Sequence, residues 1–170
     1  MLNNNIISAN ASGIKIASNI LRKNGIISFP TETVYGLGAS ALSSDAVAKI
    51  YAVKKRPSFN PLIVHVSSLK KAMEIGIFNQ EAQKLAERFW PGPLTIVVPI
   101  RKNSQISELV TAGLSTVALR VPSNDIALAL LKYCDIPLAA PSANLSGTVS
   151  STNAKHVLDD FHSSIDIILD

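Results

Sequence analysis

Lys54 and Arg56 share the segment KKRPSFNP at 54–61, and Arg120 interrupts the apolar run TVALRVP at 116–122. Lysine offers a point charge. Arginine offers a planar fork that matches a carboxylate or phosphate with two donors. A Lys-x-Arg pair at a helix end can equally stay solvated and answer the helix macrodipole. Two details favour a shaped loop: Pro57 fixes the following turn, and Asn60-Pro61 sets a polar side chain ahead of a buried strand. An arginine inside an apolar strand needs an anionic or hydrogen-bonding partner. With only 12 Asp and Glu in the chain, protein carboxylates are scarce, so a ligand's carboxylate or phosphate gains weight over a structural ion pair. The three cations are expected in one site for small anions.

Other reactive side chains say less. His65, in LIVHV at 62–66, reads as a satisfied core residue, with no second ligand at metal spacing. His156 and His162 fall on the last helix and read as surface. Cys134, the single cysteine, sits in IALALLKYCDIPL and reads as a buried structural thiol. PSANLSG at 141–147 supplies Ser142, Asn144 and Ser146, which can close Asx and Ser turns or donate to phosphate or adenine. No G-x-G-x-x-G, Walker A or G-x-S-x-G motif occurs. The residues alone stop at binding of small anionic ligands.

The elements that must position these groups follow from periodicity. A helix is expected over 12–24, with Ser12 as cap, Gly25 as C′ residue, and Ile14, Ala17, Ile20 and Leu21 on one face. IISF at 26–29 reads as a strand and PTET at 30–33 as a loop. Ser44 caps a helix over 45–54, with Val47, Ile50 and Tyr51 inward. Strands follow at 62–66, 94–100 and 116–122. Ser67 and Asn79 cap helices at 68–74 and 80–89, and WPGP at 90–93 breaks the second. Ser123 caps a helix at 124–133. A strand over 136–144 runs into a loop, a helix starts at Thr152 or Asn153 and reaches Phe161, and 165–170 forms a last strand.

These strands lack polar alternation, which implies burial on both faces. The class is α/β, with a mixed or largely parallel sheet between helical layers, in one domain over 1–170. Loops such as PTETVYG and PSANLSG follow strand ends, where open α/β sheets bind ligands. The net charge of +4 permits contact with nucleic acid without requiring it. The N-terminus lacks a signal-peptide pattern, and no apolar run approaches the ~20 residues of a membrane span. The expected compartment is the cytosol, with no membrane partner.

Five segments in order resemble the YrdC-like family, the threonylcarbamoyl-AMP synthases: FPTETVYGLG (29–38), KKRPSFNPLIVHV (54–66), WPGPLTIVV (90–98), ALRVP (118–122) and APSANLSG (140–147). The resemblance implies a three-layer YrdC-like fold, a twisted mixed sheet flanked by helices with a concave basic cavity. It implies a nucleotidyltransferase that joins L-threonine, bicarbonate and ATP into L-threonylcarbamoyl-AMP and pyrophosphate. The product would serve N6-threonylcarbamoylation of adenosine 37 in tRNA. Implied partners are tRNA or double-stranded RNA and the downstream transferase machinery.

On that resemblance, Thr33, His65, Arg120 and Ala140 line the threonine pocket, and Arg120 clamps the carboxylate. Lys54, Arg56, Asn60, Thr116, Ser142, Asn144 and Ser150 surround ATP. Lys54 and Arg56 act as catalytic cations that offset the repulsion between two anions. Mg²⁺ on the phosphates is expected, without a protein cage. Family members commonly continue with a Gly-rich stretch and a G-x-x-S-T-like segment. This sequence stops at Asp170, as a short form or a truncated chain would. A non-catalytic RNA-binding module is disfavoured because aromatics are 5%. A carbamoyl-transfer relative is disfavoured by the small size and the absence of a zinc-finger motif.

Overall fold

The computed structural model describes residues 5–170. The chain opens with β1 (Ile6–Ile7), α1 (Ala11–Arg22), β2 (Ile27–Phe29) and β3 (Gly36–Ser40). Then come α2 (Ser44–Lys54), β4 (Ile63–His65), α3 (Leu69–Ile75), α4 (Gln80–Phe89) and β5 (Ile96–Pro99). It closes with α5 (Glu108–Thr111), β6 (Thr116–Arg120), α6 (Asp125–Cys134), β7 (Leu138–Ala139), α7 (Ala154–Phe161) and β8 (Ile167–Leu169). One sheet runs in the order β1-β8-β2-β3-β7-β4-β6-β5. The pairs β1–β8, β2–β8 and β4–β6 are parallel and the others antiparallel, so the sheet is mixed rather than largely parallel.

Helices cover both faces. On one, α1 and α6 bury Ala17, Leu21, Leu130 and Leu131 against Phe29, Leu138 and Ala140. On the other, Val47 and Ile50 of α2, Val110 of α5 and Phe161 of α7 join Leu37, Ala39 and Val64. This is the expected three-layer α/β arrangement.

Several expectations need correction. PTETVYG leads into β3, a strand the sequence hides because GLGAS carries two glycines and no β-branched residue. Gly38 is there for Phe29: a Cβ on it would lie 2.6 Å from the Cε1 atom of that ring. The ring of Phe29 therefore lies across β3 instead of being pushed off it. β1 and α5 were also not anticipated, being too short to show a period. Helix caps shift by one or two residues. Asn10, Ser43, Ser68 and Asn124 accept the first-turn N–H groups in place of Ser12, Ser44, Ser67 and Ser123, while Asn79 and Asn153 cap as expected. Asn24, with φ 60°, takes the left-handed position expected of Gly25. The edge strand β5 alternates buried and exposed residues, so it is not buried on both faces.

Candidate active site

The parallel register pairs Ile63 with Ala118 and His65 with Arg120. Residues paired across strands point to the same face. Thr116, Ala118, Arg120, Ile63 and His65 therefore share one face, with Val97 and Pro99 of β5 beside them. Ala140 joins through its N–H, which donates to the Ile63 carbonyl at 2.9 Å. This is the face that α1 and α6 cover over β2, β7 and β8. Over β4, β6 and β5 it stays open: Ile63, Thr116 and Ala118 are half-buried and Val97 is 64% exposed. The result is an apolar floor with Thr116 and Arg120 at opposite ends of β6, roughly 13 Å apart at the rise of a strand.

The Arg120 end is built from three segments. Arg120 is 7% exposed. Its Nε donates to the Gly92 carbonyl at 3.3 Å, and its Nη2 donates to Thr33 Oγ1 at 3.4 Å. Nη2 also lies 2.9 Å from Glu32 Oε1, in an ion pair not directed along an N–H bond. Arg120 thus has the acidic partner that the scarcity of carboxylates argued against. The partner sits in PTET itself. Burial pushes the Glu32 carboxyl up, but the close Arg120 guanidinium and nearby backbone N–H groups hold it below its ordinary value.

His65 is buried and meets Phe29 edge-on, with ring centroids 6.4 Å apart. Burial and then the Arg120 charge bring it down to about 4, so it is neutral at pH 7. It is a core residue, yet not a satisfied one: Nδ1 is buried without a partner. The unfolded chain takes a proton on this residue near pH 6.5, and the fold refuses it until about pH 4. Stability should therefore fall as pH drops through that window. Between pH 7.5 and 5, urea unfolding should show the parent chain losing about 2 kcal/mol more than His65→Leu. Equal losses would rule out this account of His65.

The other end gathers around the loop after β7. Lys54 closes α2, where the expected helix over 45–54 ends, and only 2% of it is exposed. Its Nζ donates to the Ser142 carbonyl at 2.6 Å and to the Asn144 carbonyl. Its own carbonyl accepts from the Ser146 N–H at 3.0 Å. Burial and the neighbouring Arg56 charge lower the ammonium to about 8, with Asp160 opposing them. Arg56 is only half-buried, and its contacts to the Asn60 and Pro61 carbonyls are long, 3.4 and 3.3 Å. It is the readier of the two to accept a ligand.

The loop that carries Ser142 and Asn144 is held by the start of β3. Gly36 bridges Ser142, and the Ala143 N–H donates to the Tyr35 carbonyl at 2.7 Å. The Asn144 amide donates to the Leu145 and Thr148 carbonyls, both at 2.8 Å, and its Oδ1 is buried without a partner. Ser150 lines a shallow cavity of about 360 Å³ with Thr148, His156 and Asp160. Asp160 ties that cavity back to the loop by accepting from the Leu145 N–H at 3.3 Å. A second cavity, of about 310 Å³, lies between Ile75, Ile106 and Leu131 under the Lys71–Asp135 ion pair, and none of the anticipated site residues line it.

Sequence reasoning also missed Tyr35. Its hydroxyl donates to the Asp170 carboxylate, and burial together with that carboxylate raises it well above its ordinary value. Among the described residues no group of His, Cys, Asp and Glu could hold a metal ion.

A mixed three-layer α/β fold leaves one strand pair uncovered, with the Arg120–Glu32 ion pair at one end and Lys54 and Arg56 beside the loop after β7 at the other. The chain belongs to the Sua5/YciO/YrdC family: the family model described as telomere recombination matches residues 19–170. It is 48% identical to the threonylcarbamoyl-AMP synthase of Pyrococcus abyssi, covering 92% of this chain and 46% of that protein. The threonylcarbamoyl-AMP synthase of Bacillus subtilis is also 48% identical, over 96% of this chain and 47% of its own length. The crystal structure of P. abyssi Sua5 complexed with L-threonine superposes with a TM-score of 0.93 at 45% identity, covering 97% of this chain and 49% of that one. The chain thus spans about half the length of these relatives.

Proposed function

We propose that this chain makes L-threonylcarbamoyl-AMP from L-threonine, bicarbonate and ATP, releasing pyrophosphate. The observation that carries the reading is the division of one open strand pair into two polar ends, in a chain so similar to threonylcarbamoyl-AMP synthases. Thr33, His65, Arg120 and Ala140 would receive threonine, and Arg120 its carboxylate. Arg56, Asn60, Thr116, Ser142, Asn144 and Ser150 would receive ATP, with Lys54 shaping the loop they stand on.

The threonine amine condenses with bicarbonate to a carbamate, and water leaves. A carbamate oxygen then attacks the α-phosphorus, and the bond to the β-phosphate oxygen breaks. Arg56 offsets the repulsion between carbamate and triphosphate. The donors at the nucleotide end are amide, hydroxyl and guanidinium groups, which suit phosphate oxygens rather than a metal. They fit a magnesium ion carried by the phosphates, and that ion, when bound, supplies charge neutralisation on the leaving pyrophosphate.

The product would pass to transferase machinery that modifies adenosine 37 of tRNA in the cytoplasm. Among the described residues no helix is long and apolar enough to cross a membrane. We take residues 1–170 as a single YrdC-like domain.

The test is pyrophosphate release in bicarbonate buffer. It should rise at least about tenfold when threonine is added to chain and ATP, an increment of only about 1.4 kcal/mol in barrier. A rate that ignores threonine would remove the synthase reading.

A further inference from the structure

The Arg120 end carries two buried polar atoms without hydrogen-bond partners, Glu32 Oε1 and His65 Nδ1. Buried polar groups are nearly always paired, so two orphans in one cluster point to a missing guest. The Nη1 group of Arg120 likewise donates to nothing among the described residues. The charges say what the guest is. A simple anion would please Arg120 and be repelled by Glu32, and a simple cation the reverse. A molecule with a carboxylate and an ammonium on one carbon meets both.

The loop is built to hold Glu32 in place while leaving its side chain loosely tied. Thr31 Oγ1 donates to the Val34 carbonyl at 2.6 Å and accepts from the Thr33 N–H at 3.2 Å, which fixes the backbone. The Glu32 carboxylate itself has the undirected pair with Arg120 and a long 3.4 Å bond from the Asn124 N–H.

We propose that Glu32 is the specificity residue for the amino group: it leans on Arg120 in the free chain and turns to the substrate's ammonium when the substrate carboxylate takes the arginine. The proposal rests on the threonine reading above. It makes Glu32 the group that tells an α-amino acid from the same acid without its amino group.

The experiment is calorimetric titration of the parent chain, Glu32→Gln and Glu32→Asp with L-threonine and with 3-hydroxybutyrate, which is threonine lacking the amino group. The parent chain should prefer threonine by roughly tenfold to a hundredfold, as a charge-assisted contact implies. In Glu32→Gln that preference should collapse to within about threefold, and 3-hydroxybutyrate should bind at least as well as before, because a repelling charge has gone. Glu32→Asp keeps the charge and should retain most of the preference. A Glu32→Gln variant that weakens both ligands in equal proportion would show a merely structural role and overturn the proposal. So would a parent chain with no preference for threonine. A parent chain that binds neither ligand would overturn the threonine reading itself, and this proposal with it.

Discussion

Lys54→Met is expected to lower the melting temperature by about 5–10 °C and to abolish measurable ATP binding. The side chain is sealed from solvent, and its ammonium joins the carbonyls of Ser142 and Asn144. Methionine keeps the length and loses both bonds; the Asn144 carbonyl is left unpaired, while the Ser142 carbonyl keeps the Asn144 N–H at 3.1 Å. A buried orphan costs about 1–3 kcal/mol, and a domain of this size loses about 2–4 °C per kcal/mol. The loop that sets Ser142 and Asn144 would loosen at the same time. Arg56→Ala is the control. Its half-exposed guanidinium makes only long contacts, so stability should move by no more than about 0.5 kcal/mol while ATP affinity falls at least tenfold. Thermal melts and calorimetry decide it. A Lys54→Met chain that melts with the parent would show that the ammonium does not staple the loop.

Arg120→Met should be the second severe change. Glu32 would be left as a partly buried carboxylate with its counter-charge removed, a change that costs about 3–5 kcal/mol when a buried pair is broken from one side. Threonine binding should fall by more than a hundredfold. Adding Glu32→Gln to Arg120→Met should restore much of the stability, because the uncompensated charge is gone, yet restore no threonine binding. Urea unfolding of the two single variants and the double closes the cycle. Additive losses would mean that the 2.9 Å pair carries no energy.

The fold was legible where apolar runs are bounded by breakers. IISF ends at Pro30, and LIVHV starts after Pro61, and both are strands close to their expected limits. GLGAS was not legible, because Gly38 makes room for Phe29, nine residues earlier in the chain. A pairing partner of that kind has no local signature. Lys54 could have been separated from Arg56. Val47, Ile50, Tyr51 and Lys54 stand at helical spacing, and the first three were already assigned inward, so Lys54 had to follow them under the surface. Glu32 is one acid among 12 in the chain, and nothing local to PTET tells that it folds against an arginine 88 residues away. No sequence pattern announces that His65 Nδ1 or Asn144 Oδ1 is unpaired, since that depends on what every neighbouring element fails to supply.

β2 lies between β3 and β8 in the sheet. During synthesis residues 27–29 emerge about 140 residues before their parallel neighbour at 167–169. At ordinary translation speeds the interval is on the order of ten seconds. Through that interval Ile27 and its neighbours offer an open, sticky strand edge to other nascent chains. A chain diluted from denaturant has both strands at once and meets no such delay. The yield of folded protein in the cell should therefore track elongation rate between residues 30 and 169 more closely than it tracks equilibrium stability.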